Sequence, residues 1–200
     1  MHRTSAALAA ILLAGLLAPA LGAQERWPIS LYRDALRLED KKDYPKALEA
    51  YNKVVKMDAH PERGAMYAML ALDGIGRCQM AAGSVDEAYA TYKDLAGRSW
   101  SDPEVAQHEA FLRAQERVKR NRIDMYLEQL AAATAKFRQR EWKDASLPKE
   151  LLDKKKEIGE KVAAVGKDGV YGLRMGMDTS NALVREFAAM SLAKMADESV

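Results

Sequence analysis

The sequence predicts an all-α chain of antiparallel helix pairs stacked as a short α-solenoid, with a helical extension at its C-terminal end. Three observations predict it. Apolar residues after position 23 recur at helical spacing and nowhere alternate as they would in a strand. Helix start and stop signals punctuate the chain at short intervals. One helical pattern also occurs twice. Asp43–Val55 reads DYPKALEAYNKVV and Val85–Leu95 reads VDEAYATYKDL, so Tyr44, Ala47, Tyr51 and Val54 return 41 residues later as Val85, Ala88, Tyr92 and Leu95. A recurring helical unit implies stacking, because one unit alone cannot bury its apolar face.

Taken in order, residues 1–23 read as a secretory signal. His2 and Arg3 make a basic start, and Ala6–Ala18 is an apolar run of 13 residues interrupted only by Gly15. Pro19 and then Ala20-Leu21-Gly22-Ala23 form a small-residue cleavage zone. Thirteen residues are too few for an ordinary membrane-spanning helix; an uncleaved anchor is the alternative. The cleavage zone holds no cysteine, so nothing marks a lipoprotein. The expected location is a bacterial periplasm or beyond, with no transmembrane segment after the signal is removed.

Leu31, Ala35 and Leu38 share one face of a helix expected from about Pro28 to Asp40. Asp43 caps the next helix and Pro45 sits in its first turn, where no amide partner is lost. Pro61 starts a longer helix reaching Ala82, with Met66, Met69, Leu72, Ile75 and Gly76 on or near its buried side. Gly83 ends it, and Ser84 with Glu87 three residues on reads as a capping box. Asp102-Pro103 marks a further start. From Glu104 to Leu147 no glycine or proline occurs, which fits one long helix or two with a break near Asn121. Ser146-Leu147-Pro148 restarts a helix through Val165, and Gly166, Gly169, Gly172 and Gly176 predict a loose connection or a short glycine-broken helix. A last helix runs from about Asn181 to Met195. The resulting division is a signal (1–23), repeats (24–102), a long helical segment (103–165) and a glycine-rich connection with its helix (166–200).

The two matched stretches resemble tetratricopeptide repeats. That resemblance implies antiparallel helices A and B in each unit: Leu31, Ala35 and Leu38, then Leu72, Ile75 and Gly76, on helix A, and the two tyrosine-centred patterns on helix B. A small residue at each crossing lets the helices approach, and the aromatics fill the space beside it. The family period is about 34 residues. The extra residues here equal about two turns, so the same face is kept. Asp34 and Gln79 stand where the family has an apolar residue and an aromatic. At the C-terminal end, Leu183-Val184-Arg185, Ala188-Ala189, Leu192 and Met195 resemble the second helix of a HEAT-type repeat, with an ordinary amphipathic helix as the alternative. As a last repeat its outer face has no following unit over it, so it is expected to dock on a partner or to belong to a longer array.

The composition bounds the function. Hydrophobic residues make up 48% and charged residues 30%, enough for a core, and the net charge is only +2. A nucleic-acid partner would call for a basic excess, so none is expected. Arg113, Arg117 and Arg120 align on one side of a helix, but Glu109 and Glu116 lie four residues before Arg113 and Arg120, as on a solvated face. The lysine run Lys154–Lys156 reads the same way. Cys78, the one cysteine, sits in an apolar stretch and is expected as a small buried side chain rather than a reactive thiol. His60 and His108 are the only histidines after the signal, too few for a nucleophile–base pair at a recognisable spacing. Met175 and Met177 suit copper(I), but the other methionines fall at core spacing, where they fill gaps. The expectation is therefore a non-enzymatic adaptor or assembly factor with no cofactor and no metal. A periplasmic small-ligand binder is the alternative.

In tetratricopeptide arrays the concave groove is lined mainly by helix A. Carried over by position, this implies a partner-binding face made of Tyr32, Leu36 and Glu39 from the first unit and Asp73, Arg77 and Met80 from the second. Ile29 and Leu70 join them. Apolar anchors with a few charges suit a protein or peptide ligand; the alternative is that these residues pack against a neighbouring helix. The basic and asparagine residues that clamp a C-terminal carboxylate in chaperone-binding members are not reproduced, since Tyr32 and Leu36 occupy such positions.

Overall fold

The computed structural model describes residues 27–60, 63–138 and 147–197, and among them every regular element is helical. The expected signal, Pro61 and Ser146 lie outside the described residues. In chain order the helices are α1 (Pro28–Asp40), α2 (Tyr44–Val55), α3 (Gly64–Ala81), α4 (Val85–Gly97), the single turn α5 (Pro103–Ala106), α6 (Glu109–Lys119), α7 (Asn121–Arg138) and α8 (Lys149–Val165). A 3-10 turn (Gly166–Gly169) then leads into α9 (Val170–Gly176) and α10 (Ala182–Asp197).

The repeat seen in the sequence is a repeat of backbone geometry. In α1, the N–H groups of Lys42 and Asp43 close the helix end on the carbonyls of Glu39 and Leu38. In α3, those of Gly83 and Ser84 do the same on Met80 and Gln79. Both ends place a left-handed residue at the turn, Lys42 at φ 60° and Gly83 at φ 87°. This is the double-bonded closure that satisfies the last carbonyls of a helix. The residues that follow, Asp43 and Ser84, share nearly one conformation (φ −83° in both, ψ 66° and 70°). Asp43 reaches back to cap Lys46 N–H at 3.5 Å, but Ser84 forms no side-chain cap, so the expected capping box is absent. The hydroxyl ends one atom short of where the carboxylate reaches.

Lys42 holds a conformation in which a Cβ is disfavoured. Lys42→Gly is therefore expected to stabilise the chain by about 0.5–1 kcal/mol, read as a higher urea midpoint at unchanged slope. A lower midpoint would show that the Lys42 side chain contributes more than its strain costs.

Helix α3 is the centre of the molecule. It packs on α2, α4, α1 and α6 and is buried nearly all round, at Ala68, Met69, Ala71, Leu72, Gly74, Ile75, Gly76 and Cys78. Gly74 and Gly76 lie two residues apart, so they face opposite sides of the helix. The Tyr51 ring of α2 lies over Gly74 and the Tyr92 ring of α4 over Gly76; a Cβ at either glycine would fall 2.5 Å from the ring carbon. Both rings are sealed from solvent. Gln79, where the family pattern has an aromatic, instead accepts a hydrogen bond from Thr91 of α4 at 2.8 Å.

Two boundaries differ from expectation. Helix α3 begins at Gly64, not at Pro61, because Arg63 is left-handed (φ 56°) and cannot belong to the helix. The stretch from 104 breaks twice. His108 adopts an extended backbone and its Nδ1 accepts from Ala110 N–H at 3.2 Å, so it caps α6 rather than lying inside a helix. Asn121 is left-handed (φ 58°), and its Oδ1 accepts the Arg122 N–H at 2.6 Å. The stretch thus takes the second of the two possibilities that the sequence left open, and the break sets α6 against α7 as a third helix pair.

The C-terminal part gathers on α7, which contacts α8, α9 and α10. The glycine run is no loose connection. Gly169, Gly172 and Gly176 fall at helical spacing and present a bare surface to Ile123 and Leu127 of α7, so the 3-10 turn and α9 lie close against it. On α10, Val184, Phe187 and Ala188 face the core, and Arg185 donates to the carbonyl of Thr179 at 2.8 Å, fastening the helix to the turn before it.

Candidate functional site

The residues expected on the partner-binding face converge where α1 meets α3. Glu39 comes from the last turn of α1, and Asp73 and Arg77 sit four apart on α3, so they share one face. Arg77 donates from Nε to Glu39 Oε1 at 2.8 Å and from Nη2 to Oε2 at 2.9 Å, a two-point grip. Its Nη1 donates to Asp73. The Tyr51 hydroxyl donates to Glu39 Oε2 at 2.5 Å. Tyr32, about two turns earlier on α1, packs its ring against Tyr51 (5.9 Å between centroids) and Tyr67 (5.7 Å). Leu36 and Met80 lie half-buried against the core, one turn from Glu39 and Arg77 on the same helix faces, with no polar part in the network.

The chemistry of the cluster follows from its burial. Burial alone would raise the Glu39 pKa, but hydrogen bonds from Arg77 and Tyr51 and the Arg77 charge outweigh it, so the carboxyl lies below its usual range. Burial pushes the Tyr51 and Tyr32 hydroxyls up; the Glu39 hydrogen bond adds to this at Tyr51, while the Arg77 charge opposes it at Tyr32. Asp73 is almost wholly enclosed, whereas the Arg77 side chain is 39% exposed. The site is thus a set of charges neutralised from within, with guanidinium surface left open.

Sequence reasoning missed two members. Tyr51 was legible as core, but its hydroxyl joins the network. Arg113 of α6 completes it from the third helix pair: its Nη2 lies 3.6 Å from Asp73 Oδ2 and its Nη1 2.9 Å from Glu109, with the side chain 54% exposed. The signal was the arginine row on α6, which is less solvated than the sequence implied. Arg117 lies 5.1 Å over the Tyr92 ring and 3.0 Å from Glu128, and Arg120 bridges Glu116 and Asp124. Those two arginines fasten α6 to α4 and α7.

The other sequence candidates sit elsewhere. Cys78 is buried, and burial with the nearby Glu39 charge pushes its thiol up to about 11, which leaves it a packing group. The His60 ring lies tilted against Trp27, 5.9 Å between centroids. Among the described residues, no three His, Cys, Asp or Glu side chains gather as a metal-binding group, and no helix is long and apolar enough to cross a membrane. No known family model, curated protein or solved structure matches this chain.

Proposed function

We propose that this chain is an exported, non-enzymatic helical-repeat adaptor that holds a protein or peptide segment along the face shared by α1, α3 and α6. The observation that carries the reading is the convergence of Tyr32, Glu39, Asp73, Arg77 and Arg113 on that face. A purely structural helix contact would bury apolar groups there. Instead it places half-open arginines beside half-buried aromatics and aliphatics, the composition that protein-binding surfaces favour. The tetratricopeptide-like repeat supports the same face, and the leader-like residues 1–23 support the cell envelope as the setting. The non-enzymatic reading is supported by a high-pKa thiol and by polar groups that pair with one another.

Arg77 holds two carboxylates in place, so its loss would disturb the fold as well as any partner. Arg113 is the cleaner probe, because the Glu39–Arg77–Asp73 contacts persist without it. Arg113→Ala is expected to reduce capture of an envelope protein by about tenfold, the range for truncating an arginine anchor at an interface, while shifting the melting temperature little. A photo-crosslinking residue at Leu36 should trap that same protein. Undiminished capture by Arg113→Ala, with no crosslink from position 36, would remove this face from consideration.

A further inference from the structure

The groove between α8 and α10 has no part in the adaptor reading. Lys155 of α8 pairs with Glu186 of α10 at 3.1 Å, and Gly159 lies against the Phe187 ring, so the two helices pack side by side. Between them opens a groove of about 740 Å³ that follows α8 from Leu152 to its end at Val165 and reaches Lys167 in the 3-10 turn. At 1.5 Å per residue the helical part is about 20 Å long. Its floor is apolar, with Val162 and Phe187 buried. Its walls are apolar too: Leu152 is 47% exposed and Met190 60% exposed, two of the most open large hydrophobic side chains among the described residues. Helix α10 buries Val184, Phe187 and Ala188 and also turns Met190 and Met195 to the groove, a pattern expected of a helix covered on more than one side.

The rim gives the charge of what covers it. Lys155, Lys156, Lys167 and Lys194 line the groove against a single acid, Glu160. Lys155 is held by Glu186, while Lys156 and Lys167 pair with no acid among the described residues. They stand towards opposite ends of the groove. A long apolar trough with a cationic group near either end is complementary to an acyl chain carrying one anionic head. Its volume lies in the range of small-ligand sites, about 300–1,000 Å³, and its polar groups are few and confined to the rim.

We propose that the α8–α10 groove binds a single long-chain carboxylic acid, the chain lying on Val162 and Phe187 between Leu152 and Met190 and the carboxylate meeting a rim lysine. The lysine run that reads as a solvated surface in the sequence is then one end of the site. The site is independent of the α1–α3–α6 face, and its test does not touch that face.

The test is a fluorescence titration of the full chain with dansyl-undecanoic acid, followed by displacement with palmitate. Saturable one-to-one binding, displaced by palmitate but about tenfold less well by the uncharged hexadecanol, is the expected result for a charge-assisted apolar site. Lys156→Glu with Lys167→Glu should weaken binding about tenfold or more, and Met190→Asp should abolish it, with unchanged circular dichroism in both. The single lysine variants tell which end holds the head. No saturable binding overturns the proposal, as does equal displacement by the alcohol. Binding to phosphatidylglycerol vesicles without binding of the monomeric acid overturns it as well, since the groove would then be a membrane-facing surface. An unaffected double lysine variant would place the acid elsewhere on the molecule.

Discussion

Tyr51→Ala is expected to cost about 3–5 kcal/mol, the range for truncating a buried aromatic, and Gly74→Ala about 1–3 kcal/mol, the range for overpacking. The two residues occupy one space. The Tyr51 ring lies where a Cβ on Gly74 would stand, 2.5 Å from the nearest ring carbon, and the ring has no exposed side towards which to move. Alanine is the better helix former by about 1 kcal/mol, so a net loss at Gly74→Ala measures the collision. In the double variant the new methyl enters the space the ring has left. The costs should then fall short of additive by about 1–2 kcal/mol. Tyr92 over Gly76 repeats the arrangement on the opposite side of α3 and should repeat the result. Tyr51→Phe isolates the hydroxyl, whose bond to Glu39 should be worth about 1–2 kcal/mol. Urea unfolding of the single and double variants reads all of this. Strict additivity would mean that the rings and glycines are not what brings α3 between its neighbours.

That packing was legible in the sequence because it is periodic. Tyr51 and Tyr92 stand 41 residues apart, and so do Lys42 and Gly83 at the two left-handed turns. What escaped was whatever depends on partners distant in sequence or on side chains acting out of type. His108 serves as a helix cap through a ring nitrogen, and no glycine or proline announces that boundary. Gly169, Gly172 and Gly176 read as breakers, since their shared face has meaning only once Ile123 and Leu127 lie against it. Lys155 reads as solvated because its acid partner, Glu186, belongs to another helix. Of the candidate face, the four polar or aromatic members Tyr32, Glu39, Asp73 and Arg77 were found by position. That they bind one another first was not foreseeable, because i,i+4 spacing on α3 reveals Asp73 with Arg77 but nothing about the end of α1.

The second large effect concerns Arg77 and shrinks in acid. Removing one partner of a buried ion pair costs about 3–5 kcal/mol. The Arg77 side chain is 39% exposed, and solvent screens part of the loss, so Arg77→Ala is expected to cost about 2 kcal/mol at pH 7. The carboxyl of Glu39 shows where that energy resides. Its folded pKa is depressed, so its contribution is fully present above the unfolded value, about 4.3, and is lost as pH falls through the folded value. Without Arg77 the strongest lowering influence on Glu39 is gone, and the burial that opposed it remains. The carboxyl then titrates higher, and acid relieves an unpaired charge instead of breaking a paired one. The stability gap between wild type and Arg77→Ala should therefore narrow as pH falls from 7 to about 3.5, below the unfolded carboxylate value. Exposed carboxylates with depressed pKa values, such as Glu49 and Glu157, titrate alike in both proteins and cancel in the difference. Glu39→Gln should flatten the wild-type profile over the same interval. A gap that stays constant or widens in acid would mean that Arg77 stabilises the chain through its aliphatic packing, and the α1–α3 contact would then be apolar in its energetics despite its charges.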